Sequence, residues 1–176
     1  MAGRRSRTAL AFAGSVLLVM AVAVPVSADR GSRPFSGSVV GEVAFPEVSE
    51  DVCAPSDTVL GGMRTEATAS GTSTHLGRTL MTSRHCTPAG DDFGPGMMTL
   101  TSASGDEVWV EYHGSAPFPG PGDNLIVGDI EFAVVGGTGR FADATGGGTM
   151  TVHIVFEGFE VPTWPATWVW NGTIGY

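Results

Sequence analysis

Four histidines, His75, His85, His113 and His153, are the side chains here whose ordinary pKa suits proton transfer near neutrality. None is spaced for a recognised reaction. The chain has no G-x-S-x-G nucleophile elbow and no H-E-x-x-H zinc pair, and each histidine falls on or near a strand end. Asp106, Glu107 and Glu111 are the nearest thing to paired carboxylates, but Asp106-Glu107 belongs to a Ser104-Gly105-Asp106 turn and reads as solvated. Gly137-Thr138-Gly139-Arg140-Phe141-Ala142 satisfies the loose dinucleotide pattern G-x-G-x-x-A. That pattern works only where a helix opens on the glycines inside a parallel unit. Here a β-patterned segment follows, so no nucleotide cofactor is implied. Cys53 and Cys86 are the two cysteines. His85 beside Cys86 falls short of any zinc spacing, and the even count in an exported chain predicts one disulfide between them. Trp164, Trp168 and Trp170 form an aromatic cluster that suits either core packing or an apolar or sugar ligand.

Arg4, Arg5 and Arg7 precede an uncharged, Ala/Val/Leu-rich run over 8–24, and Pro25-Val26-Ser27-Ala28 closes it with small residues. This order predicts a signal peptide over 1–28 and a secreted protein with no membrane span after cleavage. Residues 29–176 are the size of one domain. They carry six arginines against all eighteen acids, a formal charge of 6 − 18 = −12. So negative a chain repels nucleic acid and anionic membranes. Glycine makes up about one residue in six of this part, against a usual one in fourteen, with no collagen period.

The apolar pattern has period two throughout. Phe35, Val39, Val43 and Phe45 share one face, with Ser36, Ser38 and Glu42 on the other. Strands are predicted over 35–45, 63–70, 72–85, 97–101, 107–113, 126–135, 150–156 and 164–176. Breaks are placed near Gly71 and in a Pro88–Gly96 loop, and 46–60 reads as an acidic loop. Ile130, Phe132, Val134, Met150, Val152, Ile154, Trp168 and Trp170 are the expected inner face. Strands with one wet and one buried face, joined by local turns, predict an all-β, eight-stranded antiparallel up-and-down β-barrel. A two-sheet sandwich is the alternative. Gly136, Gly137, Gly139, Phe141 and Gly146 are read as a structural turn, with the glycines supplying positive φ and Phe141 plugging one end.

Val134-Val135-Gly136-Gly137-Thr138-Gly139-Arg140-Phe141-Ala142-Asp143-Ala144-Thr145-Gly146 resembles the V-x-G-G-T-G-x-F-x-x-A-x-G signature of the allene oxide cyclase and dirigent-like barrels, close in shape to the calycins. Thr74-His75-Leu76-Gly77-Arg78 and Asn171-Gly172-Thr173-Ile174-Gly175-Tyr176 resemble segments of small exported bacterial members. The resemblance implies an apolar barrel interior, which plant relatives use to hold a lipid epoxide or to steer phenolic radical coupling. It transfers no catalytic residue. The first functional expectation is a small apolar ligand in the lumen of a non-enzymatic barrel. A structural or cell-surface interaction scaffold comes second. An isomerase or cyclase acting on a lipid-like or phenolic substrate comes last, since fold analogy alone supports it.

Overall fold

The computed structural model describes residues 31–45, 63–87 and 91–176. Eight strands form one closed antiparallel barrel: β1 (Arg33–Ala44), β2 (Met63–Ser73), β3 (Gly77–Thr87), β4 (Asp92–Ser102), β5 (Glu107–Ser115), β6 (Leu125–Gly137), β7 (Thr145–Val155) and β8 (Thr163–Gly175). Each pairs with its sequence neighbour, and β8 returns to β1 over Arg33↔Ile174 to Ala44↔Thr163. That last pairing decides for a barrel over a sandwich. The predicted signal peptide, the 46–60 loop and Cys53 lie outside the described residues.

Alternation places the core. In β6, Ile126, Gly128, Ile130, Phe132 and Val134 are buried, while the residues between them face solvent. Met150, Val152, Trp168 and Trp170 are buried inside as expected, and Ile154 is partly buried against the same core. All three tryptophans of β8 point inward, so they form no outer patch.

Two expected breaks are strand instead. β2 runs through Gly71 to Ser73, because glycine there lets β1 approach: a β-carbon on it would stand 2.1 Å from the Ser38 carbonyl oxygen. The chain turns at 74–76, where His75 takes φ 68°. β4 begins at Asp92, inside the expected Pro88–Gly96 loop. Its register slips between Phe93 and Gly96, around the cis Gly94–Pro95 bond. A proline is tolerated at such an irregularity, where the ladder is already interrupted.

The glycine run is also more strand than turn. Gly136 and Gly137 end β6, and Gly146 lies in β7. Gly136, Gly139 and Gly146 have positive φ as expected. Gly137 does not; it is needed for space, since a β-carbon would meet the Glu107 carbonyl oxygen at 2.1 Å. A short 3-10 turn, Gly139–Phe141, drops Phe141 into the barrel end with no exposed surface. Phe141 packs edge-on against Tyr176 (ring centroids 4.7 Å apart), and the Arg140 guanidinium lies over its ring at 4.7 Å. Arg140 also donates to the His75 carbonyl and pairs with Asp106 at 3.8 Å. His75 joins the closure through Nε2 to the Pro34 carbonyl (2.9 Å) and Nδ1 to the Tyr176 hydroxyl (3.3 Å). This end, called lower below, is sealed.

Candidate functional site: the barrel lumen

Inward positions of all eight strands meet in the lumen, and large side chains occupy most of it. Phe35 packs edge-on against Phe132 (6.4 Å between centroids) and tilts against Trp170 (6.0 Å). Among the described residues two small cavities lie between these side chains. The lower one, about 10 Å³, is lined by Phe35, Met98, Leu100, Val110, Phe132, Met150 and Trp170. The upper one, about 30 Å³, includes Ser83, His85, Phe93, Tyr112, Val152 and Trp168 in its lining, together with Met98 and Met150 again. A water needs about 10–15 Å³, so the upper cavity takes a water or two and the lower one at most a single water.

Among the described residues Thr65, Thr79 and Ser102 are buried and paired with Thr87, Ser73 and Ser104; two further polar groups come from aromatic side chains. Near the upper end, Nδ1 of His85 lies 2.8 Å from the Tyr112 hydroxyl, and the imidazole stacks on Phe93 with centroids 4.6 Å apart. Ser83 hydrogen-bonds the Tyr112 hydroxyl as well. With Ser83 donating to that oxygen, the phenol proton is directed at His85. Burial disfavours both charged forms: the His85 pKa is lowered to about 4 and the Tyr112 pKa raised to about 12. The cluster is therefore neutral from mildly acidic to mildly alkaline pH. Gly96 makes room for it, since a β-carbon there would stand 2.4 Å from Cζ of Tyr112.

Lower down, Trp170 is 3% exposed and its indole N–H has no hydrogen-bond partner. Such an orphan costs about 1–3 kcal/mol. Its cavity offers a water no second polar side chain, and an ordered water wants two to four partners. Trp164, by contrast, donates its indole N–H to the Gly158 carbonyl at 3.0 Å.

The remaining expected site residues are dispersed. His113 lies on the outer wall 3.7 Å from Glu131, both well exposed, and His153 is exposed on β7. Cys86 is not a free thiol, and its expected partner Cys53 lies outside the described residues. No cluster of three or more His, Cys, Asp or Glu side chains suited to a metal occurs among the described residues. Reading the histidines one at a time missed the His85–Tyr112 pair. Both occupy inward positions of their strands, but β3 and β5 are not neighbours, so no spacing in the sequence joins them.

Compared with known protein families, with curated proteins and with solved structures, the chain matches none.

Proposed function

We propose that this chain is a secreted barrel of the allene oxide cyclase and dirigent-like kind that binds a small apolar molecule in its lumen and performs no chemistry on it. A signal peptide over 1–28 and a Cys53–Cys86 disulfide belong to the same reading. One observation carries it: Trp170 lines an apolar cavity, and its indole N–H is buried with nothing to accept it. Buried donors are almost always paired, and an unpaired one calls for an explanation. A ligand oxygen supplies one.

Chemistry on the ligand lacks support from the interior. No carboxylate is buried among the described residues, and the imidazole of His85 faces a phenol. A neutral histidine beside a phenol of raised pKa is a poor base and a poor acid near neutrality.

The scaffold reading keeps one observation of its own. At the upper end Phe118 and Phe159 are 51% and 73% exposed, and with Phe156 they form a mutually packed aromatic group. Exposed apolar clusters mark interaction surfaces.

Native mass spectrometry separates the two. The protein would be recovered without organic solvent from the cells or medium that produce it. Lumen binding gives an added mass that disappears on denaturation. A bare polypeptide mass, with self-association that is lost in Phe118→Ser and Phe159→Ser, favours the scaffold.

A further inference from the structure

We infer that Met98 and Met150 form a displaceable partition between the two lumen cavities, and that the ligand is an uncharged molecule whose apolar body replaces them while a single acceptor oxygen meets the Trp170 indole N–H. This rests on the lumen-binding reading above and adds the ligand's chemistry and the way in which it is housed.

Three observations lead here. First, Met98 and Met150 are common to both linings, and they come from strands that are not neighbours, β4 and β7. Methionine is unbranched, with three rotatable bonds, so it fills irregular space and yields it at low cost. Swinging these two side chains aside joins the two cavities along the barrel axis. Neither cavity alone holds more than water. Second, an indole N–H donates and never accepts, so the ligand atom opposite it must be an acceptor such as a ketone, ether or hydroxyl oxygen. Water cannot substitute where its other hydrogen bonds would go unmade. Third, the Tyr112 hydroxyl is already engaged by Ser83 and by Nδ1 of His85, and Thr65 by Thr87. The rest of the upper lining is mostly apolar, so the ligand's upper part packs beside Val43, Ala67 and Val152. With no buried carboxylate or arginine among the described residues, a charged ligand would stay unpaired in the lumen, at high cost.

The test uses two probes of nearly equal length, 2-nonanone and n-nonane, titrated into the whole protein labelled with ¹⁵N. The indole resonance of Trp170 is identified as the one missing from Trp170→Phe. The ketone should shift that resonance downfield, and n-nonane should bind about tenfold more weakly, the worth of one matched hydrogen bond. Met98→Ala should tighten the ketone, because the side chain to be displaced is gone. Should that variant fail to fold, the Trp170 resonance of the unaltered protein still decides. Equal binding of both probes, perturbing the Met98 and Met150 methyl signals but leaving the Trp170 N–H unmoved, would overturn the acceptor assignment while lumen binding stood. Failure of both probes to perturb any lumen signal would overturn both.

Discussion

The indole of Trp170 occupies the space that a side chain on its cross-strand partner Gly37 would need. The two residues face each other across β8 and β1, and a β-carbon at Gly37 would stand 2.2 Å from Cζ2 of the ring. Glycine at this position thus makes room for a large aromatic against the barrel wall. Tyr112 lies over Gly96 in the same way. Trp170 and Tyr112 thus both depend on a missing side chain in the opposite strand.

Gly37→Ala should therefore force Trp170 from its seat. Overpacking of this kind costs about 1–3 kcal/mol. Urea denaturation should show a lower midpoint with an unchanged m value. A midpoint equal to that of the parent would mean that the ring has other places to go.

Trp170→Phe removes the orphaned donor along with part of the ring. The lost packing and the relieved desolvation oppose each other, so the expected change in stability stays below about 1.5 kcal/mol. Its effect on binding is the sharper one: discrimination between 2-nonanone and n-nonane should vanish. Calorimetry on the two proteins reads it directly.

The neutral cluster gives stability a definite pH dependence. The folded-state pKa of His85, about 4, lies below the unfolded value of 6.5. Between these values the unfolded chain binds the extra proton, so stability rises with pH across that window. The full contribution is present above pH 6.5 and is lost as pH falls toward 4. The shift corresponds to roughly 3 kcal/mol. Tyr112 acts at the other extreme. Its pKa is raised from 10 to about 12, so stability falls as pH climbs through that interval. Denaturation of His85→Gln between pH 4 and 6.5 should show a flatter slope than the parent. Equal slopes would place the titration elsewhere.

Phe141→Ala should unseal the lower end. Phe141 is fully buried in contact with Tyr176 and the Arg140 guanidinium, and deleting such a ring costs about 3–5 kcal/mol. Exchange of the Trp170 indole proton with deuterium should accelerate beyond what the loss of global stability explains, because the seal lies on that side of the lumen.

Much of this architecture was legible in the residues. The alternation through Ile130, Phe132 and Val134, and again through Met150 and Val152, identified inner faces that the fold keeps. Phe141 was recognisable as a plug because a lone aromatic in a glycine run has few other uses. Closure was expected from the short local turns and is found, but periodicity alone does not separate a sandwich from a barrel; the pairing of Arg33 with Ile174 does. Gly71 misled because a glycine that permits close approach inside a strand looks, in sequence, like one that ends it. The lumen chemistry was the least accessible part. Trp170 read as an ordinary inner aromatic, since the lack of a partner for its N–H depends on Phe35, Leu100 and Val110 arriving from three other strands. Met98 and Met150 line the same two cavities from β4 and β7, a relation that no local period records.

The most direct test of a ligand-holding lumen is a high-resolution crystal structure of protein taken from its natural source without solvent extraction. The expected result is continuous density along the barrel axis between Met98 and Met150, with both side chains swung aside and an oxygen within hydrogen-bonding distance of the Trp170 indole nitrogen. Both methionines in the closed arrangement, with no density beside that nitrogen, would contradict it.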